Sequence, residues 1–184
     1  MRHTISVLVE NKFGVLARVA GLFCGRGYNI DSLTVGPTHD RTISKMTIVT
    51  TGDDTVLEQI EKQLNKLVDV LKVTDLTGSQ FVGRELMLLK VRTTRADRGE
   101  IVQLVDVFKA NIVNVQEGSL IIEVTGPSEK IDAFIDLMTP FGIIELGRTG
   151  KVALARSSQT TEMLEVPAPF PEPSSAAVAD VTEP

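Results

Sequence analysis

Residues 4–23, TISVLVENKFGVLARVAGLF, contain the change from the first predicted strand to the first predicted helix. Up to Glu10, apolar residues stand at every second position, which predicts a strand with one buried face. These residues are Ile5, Val7 and Val9. From Gly14 onward the apolar residues recur at helical spacing, so an amphipathic helix follows. Its inward positions are predicted to be Leu16, Val19, Ala20 and Phe23.

The next residues complete a unit of six elements. Gly25 and Gly27 are predicted to end the helix, because glycine readily adopts the left-handed conformation found after helices. Strands are predicted at 30–35, 43–51 and 70–76. A second helix, capped by Asp53 or Asp54, precedes the last strand. Its inward positions are Leu57, Ile60, Leu64 and Leu67.

The second half of the chain repeats this order. Its strands are predicted at 85–91, 112–115, 120–124, 143–146 and 152–154. Asp97 and Glu100 have the spacing of a capping box, and Pro127 or Ser128 begins the other helix. The inward residues are Ile101, Leu104, Val105 and Phe108 in one helix and Ile131, Phe134, Ile135 and Met138 in the other. Each half is therefore a β-α-β-β-α-β unit, the ferredoxin-like order of an α+β fold, with both helices on one sheet face.

The chain is predicted to hold two tandem domains, 1–77 and 78–158, and a tail, 159–184. Acidic and basic residues are equal in number within each domain, so the net charge of −5 lies in the tail. The tail also holds five of the eight prolines, which predicts disorder.

Each domain has about 75 residues and hence a marginal core. Residues 86–89, LMLL, place apolar side chains on both faces of one strand. The second sheet face therefore needs a cover, from the other domain or from another chain. We expect an oligomer.

Composition excludes several classes of protein. Aromatic residues make up 4% of the chain and tryptophan is absent, which is thin for a protein that stacks nucleobases. The neutral body gives no electrostatic case for binding nucleic acid or an anionic membrane. No stretch free of Asp, Glu, Lys and Arg exceeds eight residues, whereas a membrane span needs about 20 apolar residues. No apolar segment of a signal peptide follows Arg2, so we expect a cytoplasmic protein.

The residues give no case for an active site. His3 and His39 are the only histidines, and neither lies in a nucleophile elbow. His39 is interpreted as a solvated turn residue, and Cys24 as a small core residue. A single cysteine excludes an intramolecular disulfide and a multi-cysteine zinc site. Residues 25–27, GRG, lead from helix to strand, the reverse of a dinucleotide-binding loop.

One segment has the features of a ligand site. Residues 10–16 join the first strand to the first helix, and a helix N-terminus offers free N–H groups to a carboxylate. Gly14 leaves the approach open, the side-chain amide of Asn11 can both donate and accept, and the side-chain oxygen of Asn29 can accept from an ammonium group. The apolar side chains available to the same ligand are Val15, Leu16 and Ile30. Together these residues suit an amino acid with a small aliphatic tail, although Asn and Gly are also ordinary loop and cap residues.

The chain resembles a known family in three separated motifs. Residues 11–33 and the segment 58–68, EQIEKQLNKLV, resemble the N-terminal ACT domain of the acetolactate synthase (acetohydroxyacid synthase) small subunit. Residues 84–91, RELMLLKV, resemble the opening of that family's second domain. The resemblance covers about residues 2–156 in the right order and excludes the tail.

This resemblance implies a non-catalytic regulatory subunit. Such a subunit forms a homodimer, binds and activates the large catalytic subunit, and confers feedback inhibition by branched-chain amino acids, chiefly valine. Thiamine diphosphate, FAD and Mg²⁺ belong to the large subunit, so no cofactor is expected in this chain. The effector lies between the ACT domains of two chains. Gly14 and nearby N–H groups would hold its carboxylate, and Asn29 with Asn11 its ammonium group.

Two residues depart from the pattern of the family. Many relatives have an acidic residue at position 12 and proline or a small residue at 13, where this chain has Lys12 and Phe13. Lys12 would strengthen carboxylate binding or shift the preference among effectors. Phe13 would close over the pocket or contact the large subunit.

Two other interpretations of the function remain open. The first is another amino-acid-sensing protein with tandem ACT domains, acting on a different enzyme or on transcription. The second is an enzyme built on a ferredoxin-like fold, which the lack of a cluster of titratable residues argues against.

Overall fold

The computed structural model describes residues 1–156, so the tail predicted at 159–184 lies outside the described residues. The first half consists of β1 (Arg2–Glu10), α1 (Val15–Gly25), β2 (Ile30–Pro37), β3 (Ile43–Thr51), α2 (Asp54–Leu64) and β4 (Val70–Asp75). The second half consists of β5 (Phe81–Arg92), α3 (Arg98–Val107), β6 (Asn111–Val115), β7 (Ser119–Gly126), α4 (Ser128–Met138), β8 (Ile143–Arg148) and β9 (Val152–Ala155). A short 3₁₀ turn, Thr139–Phe141, follows α4.

The predicted α+β architecture of two ferredoxin-like units is confirmed. The first sheet has the order β2-β3-β1-β4 and the second the order β6-β7-β5-β8, with every pairing antiparallel. Strand β5 is longer than predicted, because its first residues, Phe81 to Arg84, pair separately with β9. Both sheets thus keep one strand order, and β9 extends beyond the second one.

The helices of each half pack on one face of its sheet. The first core contains Ile5, Val7, Val9, Val15, Val19, Phe23, Met46, Ile48, Ile60 and Leu64. The second contains Met87, Leu89, Val91, Ile101, Val105, Leu120, Ile122, Val124, Ile131, Phe134 and Met138. Alternation in the strands and helical spacing in the helices supply these residues, as the sequence predicts.

The inward face of α1 differs from the prediction. Val15, Val19 and Phe23 are buried, whereas Leu16 is 46% exposed. Because the helix begins at Val15, its core stripe runs from there at intervals of four residues. The interpretation of Cys24 as a core residue is wrong, because Cys24 is exposed one position beyond the stripe.

The helix caps are confirmed in one case and corrected in another. Asp53 caps α2, its carboxylate accepting a hydrogen bond from the N–H of Val56 at 2.8 Å. Asp97 stands at the N-cap position of α3, but its side chain makes no capping hydrogen bond to the helix. Its carboxylate accepts from Thr94 N and Thr93 Oγ1 instead, so the predicted capping box with Glu100 is wrong.

The second domain covers part of the outer face of the first sheet. Val49 and Leu76 are buried there without belonging to either helix-side core. Strand β9 contacts β1, and Thr34 Oγ1 donates a hydrogen bond to Thr149 O at 3.0 Å. Leu88, on the outer face of the second sheet, stays 45% exposed. The expected cover therefore comes partly from within the chain, and the oligomer stays a prediction.

None of the helices within residues 1–156 is both long enough and apolar enough to span a membrane.

Candidate functional site

The N-terminus of α1 is open in a way that the other helices are not. Gly14 is its N-cap, with φ 82°, and it has no side chain to bond the first N–H groups. The first turns of α2, α3 and α4 contain Asp54, Glu100 and Glu129, respectively, but that of α1 contains no acidic residue. The positive end of this helix dipole, about half a charge, is therefore not compensated by an acid of its own first turn.

The space above Gly14 is also free. A Cβ placed on this residue would meet Arg18 Nη2 at 3.9 Å and no other heavy atom within 4 Å. Because φ is positive, any L side chain here would strain the backbone. Gly14 therefore leaves the N–H groups at the start of α1 accessible to an anion such as a carboxylate.

Asn11 is fixed by the turn between β2 and β3. Its Nδ2 donates to Arg41 O at 2.8 Å, and its N–H donates to Thr42 O at 2.6 Å. The amide oxygen has no hydrogen-bond partner among residues 1–156 and stays available as an acceptor.

Lys12 and Phe13 occupy the tip of this loop. Lys12 Nζ lies 2.7 Å from Glu10 Oε2, and this hydrogen bond with its ion pair raises the pKa of Lys12. The lysine charge is thus largely balanced by Glu10. The side chain of Phe13 is fully exposed, and that of Leu16 nearly half exposed.

The other predicted apolar residues face the protein. Val15 is 3% exposed and belongs to the first core, and Ile30 is half-buried and packs against it. Of the three predicted apolar residues, Leu16 is therefore the one whose side chain is exposed and can contact a ligand.

Asn29 lies just before β2 and is held from both ends. Its backbone oxygen accepts from Thr50 Oγ1 at 2.6 Å, and its Nδ2 donates to Asp31 Oδ1 at 2.7 Å. Asp31 is not among the site residues predicted from the sequence. The one sequence feature that could have indicated Asp31 is its spacing from Asn29 at the start of a strand. Residues two apart point to the same side of a strand.

The register of β3 shows how far apart the two halves of the predicted site lie. Glu10, beside Asn11, pairs with Ile43, whereas Ile30, beside Asn29, pairs with Thr50. These partners are seven residue steps apart on β3, roughly 24 Å at 3.4 Å per residue. Helix α1 connects the same two ends of the sheet. Within one chain, Asn11 and Gly14 are therefore brought together, and Asn29 is not brought to them.

Residues 1–156 contain no group of three or more His, Cys, Asp or Glu side chains placed to hold a metal ion. His3 is buried, with Nε2 3.1 Å from Gly52 O, and His39 is exposed in its turn.

Two family models match the chain. Residues 84–157 match the family described as the small subunit of acetolactate synthase, and residues 5–72 match its ACT domain, described as AHAS small subunit-like.

Similar proteins of known sequence carry the same description. The probable acetolactate synthase small subunit of Archaeoglobus fulgidus is 58% identical over 159 residues, which cover 86% of this chain and 99% of that protein. The acetolactate synthase small subunit of Aquifex aeolicus is 50% identical over 163 residues, 88% of this chain and 84% of that protein. The crystal structure of the small subunit from Thermotoga maritima is similar with a TM-score of 0.79 and 45% identity, covering 85% of this chain and 98% of that one.

Proposed function

This chain belongs to the family of acetolactate synthase small subunits, and we propose that it is a non-catalytic regulatory subunit. In this proposal, valine bound between two ACT domains inhibits the catalytic subunit. The chain carries an ACT regulatory domain, and its family implies a catalytic large subunit as partner. In this proposal the large subunit performs the chemistry with thiamine diphosphate, FAD and Mg²⁺. The small subunit raises that activity and makes it sensitive to the end product.

The separation of Asn11 and Gly14 from Asn29 carries the proposal. A single amino acid cannot touch both ends of β3, because it is several times shorter than the roughly 24 Å between them. A site that uses all three residues therefore needs a second copy of the chain. This reasoning favours a homodimer in which each effector is held by two protomers.

Strand β2 offers the surface for that dimer. It is an edge strand, bonded to β3 on one side only, and it runs from Ile30 at the Asn29 end to Pro37 at the Asn11 end. Antiparallel pairing with β2 of a second copy would bring the Asn29 end of that copy beside Asn11 and Gly14 of the first. Two equivalent sites result from the two-fold symmetry.

Recognition in such a site divides by charge. The effector carboxylate accepts from the uncapped N–H groups at the start of α1, where the helix dipole favours an anion. The ammonium group donates to the amide oxygens of Asn11 and of Asn29 from the second copy. Leu16 contacts the aliphatic tail, which favours a small branched side chain such as that of valine.

The first test is reconstitution with the large subunit. We expect the chain to raise acetolactate formation by the large subunit and to make it sensitive to L-valine, while the chain alone has no turnover. A large subunit whose rate does not respond to the chain would contradict the regulatory role. Turnover by the chain alone would instead indicate an enzyme. Leucine and isoleucine are assayed in parallel to identify the preferred effector.

Subunit mixing tests whether two copies share the site. Gly14→Asp and Asn29→Ala should each weaken valine binding strongly as homodimers, because each impairs one half of both sites. After the two variants exchange protomers, a mixed dimer has one site that carries both substitutions and one site that carries neither. Random 1:1 exchange should restore about a quarter of the wild-type sites by calorimetric titration. No recovery in verified mixed dimers would mean that the site lies within one chain.

A further inference from the structure

A network of three residues holds Asn29 in one orientation. Asn29 Nδ2 donates to Asp31 Oδ1 at 2.7 Å, and Thr51 Oγ1 donates to Asp31 Oδ2 at 2.7 Å. Both carboxylate oxygens of Asp31 are thus engaged, and Thr50 fixes the backbone of Asn29 through its carbonyl oxygen. The pair is anchored to the last residues of β3, which belong to the rigid sheet.

The chemistry of Asp31 decides which way the amide of Asn29 points. An ionised carboxylate only accepts hydrogen bonds, so the nitrogen of the amide must face it. The amide oxygen of Asn29 then points away and has no partner among residues 1–156. An ammonium group needs an acceptor of this kind. Without Asp31, the amide is free to rotate, and its nitrogen can occupy the position of the oxygen.

The charge of Asp31 acts in the same direction. Its side chain is 24% exposed, and the nearest cation is Arg2, with Nε 4.0 Å from Oδ2. This separation is at the limit of an ion pair and leaves much of the negative charge uncompensated. A carboxylate bonded to the amide nitrogen also polarises the amide, which strengthens the acceptor at the oxygen.

We infer that Asp31 is a positioning residue for the effector ammonium group: it turns the amide oxygen of Asn29 outward and selects ligands with a protonated amine. This inference rests on the proposed function and adds a residue that reaches the effector through another side chain. Asp31 belongs to the same protomer as the Asn29 it orients, opposite the protomer that supplies Gly14.

The experiment measures L-valine inhibition of the reconstituted holoenzyme. Wild type, Asp31→Ala, Asn29→Ala and the double variant are compared by the valine concentration that gives half-maximal inhibition. Loss of a hydrogen bond to a charged group predicts a rise of about tenfold or more for Asp31→Ala. The double variant should be no worse than Asn29→Ala, because Asp31 acts through Asn29. Asp31→Asn keeps an acceptor oxygen but loses the charge, so its effect should be smaller.

Asp75→Ala is the matched control. Asp75 also accepts from a threonine hydroxyl, that of Thr77, but contacts no asparagine of the site. Its removal should leave valine inhibition unchanged. Protomer exchange adds a second readout that a general loss of stability cannot imitate. Mixed dimers of Asp31→Ala and Gly14→Asp should regain valine sites, whereas mixtures of Asp31→Ala and Asn29→Ala should not.

Several outcomes would overturn the inference. One is unchanged inhibition of Asp31→Ala, and another is a double variant whose loss equals the sum of the single losses. Failure of the proposed function gives a different result: valine, leucine and isoleucine would then not inhibit the wild-type holoenzyme.

Discussion

The β1–α1 and β5–α3 junctions occupy equivalent places in the two domains, yet one is open and the other is closed. Neither α1 nor α3 has a side-chain N-cap hydrogen bond, but Gly14 leaves the start of α1 without any side chain at the N-cap position. After β5, Asp97 accepts hydrogen bonds from Thr94 N at 2.5 Å and from Thr93 Oγ1 at 3.0 Å. Thr93 is itself buried, and its hydroxyl is hydrogen-bonded within the junction, to Asp97 Oδ1 and to Thr94 O.

The turn between β6 and β7 closes the second junction further. Arg98 Nη2 donates to Gln116 O at 3.0 Å and to Glu117 O at 2.7 Å, which ties the start of α3 to that turn. A ligand would have to displace these bonds. These hydrogen bonds are consistent with the proposal that the effector binds at the first junction and not at the second.

The largest expected effect comes from closing the open junction. Gly14→Asp adds a side chain at a positive φ and a negative charge where a carboxylate must dock. We expect the half-inhibitory valine concentration to rise on the order of a hundredfold or more, with activation of the large subunit retained. The control is Gly142→Asp, which also has a positive φ but lies in the second domain. Full valine inhibition of Gly14→Asp would remove Gly14 from the site.

The next prediction concerns the rigidity of the second domain. Glu85 is 3% exposed, and Arg148 Nη2 lies 2.6 Å from its Oε2, while Ser128 Oγ donates to its Oε1. Burial raises the pKa of Glu85, but the hydrogen bonds from Ser128 and Arg148 outweigh it, so the net pKa is lowered. Glu85→Gln removes one of the two carboxylate partners of Arg148, which keeps its ion pair with Asp132. The free energy of unfolding should fall by about 2 kcal/mol at pH 7, as for loss of a hydrogen bond to a charged group.

The lowered pKa of Glu85 also determines the pH dependence. A depressed carboxyl pKa contributes stability above the pKa of the unfolded chain and loses it as pH falls through the folded value. The difference in Tm between wild type and Glu85→Gln should therefore be full at pH 6–7 and shrink below about pH 4. Glu123→Gln, at a less buried position of the same sheet, serves as control. A difference that does not change with pH would contradict the ionised pair.

Opening the closed junction should have a smaller effect. Asp97→Ala removes the acceptor shared by Thr93 and Thr94, and we expect Tm to fall by a few degrees. Valine inhibition should be unchanged, because the proposed effector site lies at the first junction. Scanning calorimetry and the holoenzyme assay measure the two quantities on the same preparation. A clear loss of inhibition without a change in Tm would show that the second junction takes part in regulation.

The smallest effect is expected at the tip of the open junction. Lys12→Glu replaces the partner of Glu10 by a like charge near the helix N-terminus. The half-inhibitory valine concentration should rise about two- to fivefold at low ionic strength. Salt should reduce the difference, since the residues are exposed. Lys62→Glu, which breaks a similar exposed pair with Glu58 on α2, is the control and should not change inhibition.

Much of this could be foreseen from local patterns. Alternation in β1, β3 and β5 and helical spacing in α2, α3 and α4 predicted the elements and most of the core. The wrong predictions for the inward face of α1 and the capping box of α3 also have local causes. The α1 stripe began one residue earlier than expected, at Val15, which exposed Leu16 and Cys24. Asp97 had the spacing of a cap, but nearby threonines competed for its carboxylate.

Short-range periodicity predicts the repeated α+β fold, and local motifs point to the family and to the candidate effector residues. The positions of those residues in space depend instead on tertiary structure. Hydrogen-bond register along β3 places Asn29 and Gly14 at opposite ends of one sheet, and the contacts of Asp31 orient the amide of Asn29. Register and side-chain networks join residues distant along the chain, so no local pattern contains them.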